Sequence, residues 1–187
     1  MTNLADTLRR HVEIMKMTKI DACRRNNGPA DLVPMCVWVD GEDQTNIAIV
    51  DAKGHTSDFM PKLLSLLAKQ SPKIIVFMSE SLAKQVGSAK ELDEFLATSK
   101  PGDLRKLYDA HGPLSGLQEL IAFSALSVVT GEQMQAIAKF TYDDSGLPVF
   151  SETEMMEIPR ADTDKANISW LFDKFYEFMK SSQAETN

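Results

Sequence analysis

Apolar and polar positions change period along this chain, and each change marks a predicted element. Residues 4–22 repeat their apolar positions with the period of an amphipathic helix, which the Gly–Pro pair at 28–29 ends. Two β-branched runs, 35–39 and 47–50, flank the turn-rich stretch DGEDQT and predict a hairpin. A short helix is expected at 58–69.

The second half begins with an unbroken apolar run at 73–78, which predicts a strand buried on both faces. Residues 87–117 form a long excursion with two short predicted helices. Residues 119–152 predict a three-strand antiparallel meander, in which Gly131 and Glu132 fit a two-residue turn and Pro148 places the third strand at an edge. An aromatic amphipathic helix is expected at 162–180, and the tail 181–187 is expected to be disordered.

Strands and helices mix here without regular βαβ alternation, which indicates the α+β class. We therefore predict a single α+β domain over residues 1–180. Its sheet is expected to be antiparallel or mixed, with five or six strands and the helices packed on it. A chain of 187 residues is long enough for one hydrophobic core and short for two.

Composition points to a soluble, cytoplasmic protein. No apolar run approaches the ~20 residues that a membrane span needs, and the N-terminal segment lacks the apolar centre of a signal peptide. Cys23 and Cys36 are too few for a disulfide framework and too far apart for a zinc motif, so we expect buried, reduced thiols.

The net charge of −7 is unevenly distributed. Residues 1–25 carry six basic and three acidic side chains, whereas residues 143–164 carry seven acidic side chains and one basic. The acidic residues within the first segment dilute its positive charge, and the whole molecule is acidic. Nucleic acid is therefore a disfavoured partner.

Ser79 and Glu80 follow the apolar run at 73–78, where a strand end can present functional groups. A serine nucleophile on a sharp elbow needs small residues two positions away on each side, but Phe77 occupies one of these positions. His111 follows in a permitted order for a catalytic triad, which makes it a weak candidate base. The favoured interpretation is that Ser79 and Glu80 satisfy neighbouring polar groups.

Glu80 and Glu119 both border predicted strands. If those strands pair, the two carboxylates lie close and shift each other's pKa, as acid–base sites often do. By contrast, His11, His55 and His111 lack a second ligand at helical or hairpin spacing, and the chain has no phosphate-binding glycine motif. We expect neither a metal nor a cofactor; for His11 we expect a hydrogen-bonded core or interface position.

The C-terminal helix has one aromatic residue on its polar side. Five apolar residues project within about 80° of Ile168, whereas Trp170 projects at about 200°, among charged residues. Tryptophan is enriched at interface hot spots, so Trp170 is a candidate interface residue. The alternative is an indole that is exposed or lies on the chain's own surface.

The segment 74–150 resembles a family of small, uncharacterised α+β proteins from bacterial, archaeal and phage genomes. The resemblance rests on Ser79 and Glu80 after an apolar strand, on Glu119 at the start of another, and on the hairpin layout that finishes in DDSG. It implies the order of the elements and no particular chemistry.

Two functional hypotheses follow. The first is a non-enzymatic interaction or accessory domain, which dimerises through its terminal helices and uses Trp170. The second is a small-molecule-binding or hydrolytic site where Ser79, Glu80 and Glu119 emerge, covered by the 87–117 excursion, because long loops over a sheet are often functional. The second hypothesis requires those side chains, or His111 with one of them, to converge.

Overall fold

The structure of this chain is a computed structural model. It describes residues 3–50, 56–84, 106, 108, 110, 111, 116–158 and 168–184. For residues 56–61, 84, 168–171 and 181–184 this covers the backbone alone.

The described segments form three long helices and seven strands. In chain order they are α1 (Leu4–Asn26), β1 (Met35–Val39), β2 (Thr45–Ile49), α2 (Thr56–Ala68), β3 (Ile74–Lys84), β4 (Leu117–Ser127), β5 (Gln133–Tyr142), β6 (Pro148–Phe150), β7 (Glu154–Glu157) and α3 (Ile168–Ala184). Within these segments, every helix is too short or too polar to cross a membrane.

All seven strands belong to one antiparallel sheet. The strand order is β2-β1-β3-β4-β5-β6, and β7 also pairs with β5. The long strands β3 and β4 lie at the centre and pair over their whole length, from Ile74 opposite Ser127 to Lys84 opposite Leu117. The predicted α+β class with a mainly antiparallel sheet is confirmed, as is the edge position of the strand that begins at Pro148.

The sheet has one strand more than the five or six that the sequence predicts, because its edge strand is divided by a β-bulge. Phe150 lies opposite Phe140, but Glu154 lies opposite Ile137. Three residues, 151–153, therefore face two residues of β5. The extra residue interrupts the ladder and separates β6 from β7.

Helices cover both faces of this sheet, and a core lies under each layer. The α1 face joins Leu8 and Val12 of α1 to residues such as Val76 of β3 and Phe123 of β4. On the other face, α2 and α3 pack over side chains that include Phe77. Because successive residues of a strand point to opposite faces, Val76 and Phe77 belong to different cores.

Helix α1 has a capping group at each end. The Asn3 side chain accepts a hydrogen bond from the Ala5 amide at 2.8 Å, which satisfies a free donor of the first turn. At the other end, Asn27 adopts the left-handed conformation, and Gly28 N–H donates to Cys23 O at 3.0 Å. This reversal directs the chain back over the sheet toward β1.

Strand β3 extends well beyond the apolar run that predicts it. The sequence analysis places a strand end after Met78, but the strand continues for six more residues to Lys84. The prediction that Ser79 and Glu80 sit at a strand end is therefore wrong. The polar residues begin inside the strand, where Glu80 accepts hydrogen bonds from Lys19 and from the Leu32 amide.

Helix α3 buries three of the four side chains of its predicted apolar stripe that the structure describes. Phe172, Phe175 and Met179 are buried, but Phe178 is 55% exposed because it lies at the outer margin of the stripe. The helix continues to Ala184, within the range predicted as a tail. Residues 185–187 lie outside the described part of the chain, as do most of residues 87–117.

Candidate functional site

The site is centred on Lys19, which α1 places on its buried face one turn after Met15. The Lys19 side chain has no solvent exposure. Its ammonium donates to the Ala30 carbonyl oxygen at 2.6 Å and to Glu80 Oε1 at 2.7 Å. A buried ammonium needs such partners, since an unpaired charge in the interior is costly.

Glu80 extends from β3 toward α1 and holds two elements together. Oε1 accepts from Lys19, while Oε2 accepts from the Leu32 backbone amide at 2.9 Å. The Glu80 side chain is only 10% exposed. One carboxylate therefore fixes both the helix and the loop that follows it against the sheet.

Two aromatic rings of β5 complete the surroundings of the ammonium. Lys19 Nζ lies 4.9 Å from the Phe140 ring centroid and 5.5 Å from the Tyr142 ring centroid, within cation–π range. Burial, reinforced by the negative charges of Glu119 and Glu80, raises the pKa of Tyr142 well above its ordinary value. Tyr142 thus stays protonated and available as a hydrogen-bond donor over the physiological range.

Glu119 is the second buried carboxylate, and it comes from β4 on the same sheet face as Glu80. It is 2% exposed, and its Oε2 accepts from the Tyr108 hydroxyl at 3.0 Å. Glu80 lies opposite Ile121 and Glu119 lies opposite Leu82, so the two glutamates are diagonal neighbours in the ladder. The strand pairing that the sequence analysis required is confirmed.

A cavity of about 300 Å³ opens beside these groups. Both glutamates, the loop that connects α1 to β1, and the second half of β3 form its wall. The lining residues are Asp31, Leu32, Pro34, Glu80, Ser81, Leu82 and Glu119. The arrangement combines an apolar part with hydrogen-bond acceptors, as small-molecule sites do.

The structure brings together two of the four candidate residues. Glu80 and Glu119 share the cavity, whereas Ser79 belongs to the opposite face of β3 and does not line it. His111 is exposed and also does not line the cavity. The side chain of Trp170, the candidate interface residue, lies outside the described residues, so that hypothesis stays a prediction.

The remaining histidine and cysteine predictions concern structural roles. His11 is 8% exposed, and its Nδ1–H donates to the Thr7 carbonyl oxygen at 2.7 Å, which confirms a hydrogen-bonded core histidine. Cys23 and Cys36 are free and buried, as expected, and burial raises the pKa of Cys36 to about 12. In the described part of the chain, no three acidic, cysteine or histidine side chains are grouped as metal ligands.

Two functional residues of this site, Lys19 and Tyr142, are absent from the sequence predictions. Lys19 does leave a signal, because it falls on the apolar stripe of the first helix between Met15 and Cys23. A lysine there must either reach the surface or find an acid across the core. Tyr142 continues the buried alternation of its strand, which predicts a core position but no polar role.

Comparison of the chain with protein-family models, curated proteins and solved structures gave no match. The resemblance to the small α+β family therefore stays a prediction.

Proposed function

We propose that this protein binds a small molecule in the cavity between Glu80 and Glu119, and that the ligand donates hydrogen bonds. The observation that carries the proposal is the cavity of about 300 Å³ with two largely buried carboxylates in its wall. Small amines and guanidinium compounds are the best-matched ligand class.

Size and chemistry both support this class. A cavity of this volume is at the lower end of the range for small-molecule sites. An ionised carboxylate is an acceptor only, with about four lone-pair positions. Each oxygen of Glu80 accepts one protein hydrogen bond, so both retain capacity for a further donor. Charge-assisted bonds from a cationic donor are the strongest that such oxygens form.

Lys19 acts in this proposal as a positioning residue. Its ammonium and the Leu32 amide fix the two oxygens of Glu80, so this carboxylate is oriented before any ligand arrives. Preorganisation of this kind lowers the entropy that binding costs. The Lys19 ammonium also offsets part of the negative charge around the cavity, which favours a ligand of low positive charge.

Binding is better supported than hydrolysis. A serine or cysteine nucleophile needs a base within hydrogen-bonding distance. Ser79 lies on the opposite face of β3 from Glu80, and His111 is exposed and away from the cavity lining. Because side chains alternate along β3, Ser79 and Glu80 point to opposite faces of the sheet, whereas the hydrolytic hypothesis needs them in one site.

The experiment is a titration of the ¹⁵N-labelled protein with ethanolamine, putrescine and agmatine, and with acetate and succinate as anionic counterparts. We expect the cationic probes to shift the amide resonances of Leu32, Ser81 and Leu82. Glu119→Gln should weaken this binding by about tenfold or more, because the cation then meets a neutral amide oxygen in place of a carboxylate.

The matched control is Glu132→Gln, which neutralises an exposed glutamate in the loop between β4 and β5. It should leave the affinity for the cationic probes unchanged. The proposal is wrong if no cation perturbs the three cavity amides, or if Glu119→Gln and wild type bind the probes equally well.

A further inference from the structure

The two edges of the sheet differ in how well they are protected from pairing with another chain. The β6–β7 edge has the bulge at 151–153, Pro148 and two glutamates, Glu154 and Glu157. Bulges, prolines and charges are the usual devices that block edge-to-edge association. Strand β2, with the sequence TNIAI, has none of these.

The register of β2 directs the N–H and C=O groups of every second residue away from β1, toward the edge of the sheet. Val50 N–H donates to Pro34 O at 2.8 Å, and Asp40 N–H donates to Gln44 O at 3.0 Å. The even-numbered residues of β2 therefore face β1. Since bonding direction alternates along an antiparallel strand, the amides and carbonyls of Thr45, Ile47 and Ile49 point away from the sheet. Within the described residues, β2 pairs with β1 alone.

Two of these three residues expose apolar side chains. Ile47 is 63% exposed and Ile49 is 70% exposed. They lie opposite Val37 and Met35, on the face of the sheet that α1 covers. Helix α1 packs mainly over β3, β4, β5 and β6, and it leaves Ile47 and Ile49 exposed. An unprotected edge and an uncovered apolar strip thus coincide on one strand.

We propose that β2 pairs antiparallel with β2 of a second copy, so that one continuous sheet crosses a twofold axis. With the axis at Ile47, the two Ile47 residues face each other, and Thr45 of each copy faces Ile49 of the other. All three outward amides of each strand then find a carbonyl, which gives six hydrogen bonds. The exposed isoleucines form one apolar strip across the axis.

The uncharged sequence of β2 and its two exposed isoleucines fit a second copy of the same strand better than a charged foreign segment. Strand β2 contains no charged residue, so two copies align without opposing like charges within the strand. A basic partner, which the net charge of −7 would attract in general, finds no carboxylate on β2 itself. This dimer goes beyond the proposed ligand binding, and none of its three contact residues lines the cavity.

The test combines analytical ultracentrifugation over a range of protein concentrations with amide hydrogen exchange. We expect a dimer in which Thr45, Ile47 and Ile49 amides are protected to a degree that rises with concentration. The Asn46 and Ala48 amides, which face β1, should be protected at every concentration. Ile47→Lys should raise the dimer Kd by about 100-fold, because each dimer loses two buried isoleucines and gains two facing ammonium groups.

Val149→Lys is the matched control, since it places a lysine at an exposed valine on the opposite edge of the sheet. It should leave the Kd unchanged. A protein that is monomeric at all concentrations overturns the proposal, and so does a dimer that Ile47→Lys does not weaken. Concentration-independent protection of the three outward amides also overturns it, because another part of the same chain would then cover β2.

Discussion

Lys19 shows how a single buried charge can organise a site. An ammonium taken out of water is stable only when its hydrogen bonds are satisfied. Here it has a carbonyl oxygen, a carboxylate oxygen and two ring faces around it. Glu80 in turn accepts from the loop after α1. The Lys19–Glu80 pair therefore links α1, the loop after it and β3, and it fixes how these three elements lie against one another.

This coupling predicts the effect of removing one partner. Lys19→Met leaves the Glu80 carboxylate buried without its counter-charge, and we expect a loss of about 3–5 kcal/mol in the free energy of unfolding. The double variant Lys19→Met/Glu80→Gln should be clearly more stable than Lys19→Met alone. In the double variant, the amide oxygen that replaces the Glu80 carboxylate still accepts from Leu32 N–H and carries no charge. Urea denaturation of the wild type, of Lys19→Met and of the double variant measures the three free energies of unfolding.

An exposed ion pair on the same helix provides the comparison. Arg24 lies 3.5 Å from Asp21, and both side chains are more than 60% exposed. Arg24→Met should therefore change stability by less than about 1 kcal/mol. If the double variant is no more stable than Lys19→Met alone, Lys19 and Glu80 are not coupled and the interpretation of the site fails.

At the residue scale, the sequence places Glu80 and Glu119 beside predicted strands, but it gives their meeting only on the condition that those strands pair. Periodicity predicts each strand and does not specify which strands are neighbours. The Lys19–Glu80 contact joins residues 61 positions apart, and its geometry depends on how α1 lies on the sheet. No local pattern specifies that packing.

At the scale of elements, two hairpin loops each begin with an aspartate that accepts hydrogen bonds from backbone amides of the same loop. Asp40 accepts from the amides of Glu42 and Gln44, and Asp143 accepts from those of Ser145 and Leu147. The Gln44 amide is the main cause that holds the pKa of Asp40 below the ordinary value. For Asp143 the main cause of the lowered pKa is the Ser145 hydroxyl, which donates to Oδ1 at 2.6 Å, followed by the Leu147 amide. The fourth loop residue is left-handed in each case: Asp43 has φ 61° and Gly146 has φ 75°.

The β5–β6 loop has the stricter requirement for glycine at its left-handed position. A side chain at Gly146 would be strained by the positive φ, and its Cβ would lie 3.2 Å from Gly28 Cα and Pro29 Cδ. We therefore expect Gly146→Ala to lower the free energy of unfolding by about 1–2 kcal/mol. Thermal unfolding followed by circular dichroism measures the change.

Gly41 of the β1–β2 loop gives the control for Gly146. It has an ordinary φ, and a Cβ there meets nothing within 4 Å. Gly41→Ala should therefore be close to neutral. Equal destabilisation by the two substitutions would show that loss of glycine in a hairpin loop, rather than the contact with the end of α1, sets the cost.

Element boundaries were less predictable than element types. The sequence places Gly131 and Glu132 in a two-residue turn, but residues 128–132 join β4 to β5. Gly131 does have the positive φ of 75° that a turn glycine often supplies. Val128 and Val129 read as strand because β-branched residues favour strands, yet the chain leaves the ladder at Ser127. A local turn ends this strand, since Gly131 N–H donates to Ser127 O at 2.7 Å.

At the scale of the whole molecule, one sheet separates two apolar layers, and each layer holds one thiol. Cys23 lies on the buried face of α1, whereas Cys36 belongs to the core under α2 and α3. Both cores are lined by the same strands, whose side chains alternate between the two faces. Opening one layer exposes the sheet on which the other layer rests, so we infer that the two layers unfold as one cooperative unit.

The two thiols test this cooperativity. In native protein neither should react with a thiol reagent, because both are inaccessible, and Cys36 is further protected by a pKa of about 12 that keeps it protonated. In increasing urea, we expect the single-cysteine variants Cys23→Ala and Cys36→Ala to become labelled at the same midpoint. That midpoint should coincide with the loss of helical circular dichroism.

A lower midpoint for Cys36 than for Cys23 would contradict the single-domain prediction. It would mean that α2 and α3 detach while α1 remains packed on β3, β4, β5 and β6. The result also bears on the site, since the Lys19–Glu80 pair lies entirely on the α1 side. If the layers open together, a substitution in the core under α2 must destabilise the cavity as much as it destabilises the whole fold. A ligand bound in the cavity must then protect both thiols equally from labelling.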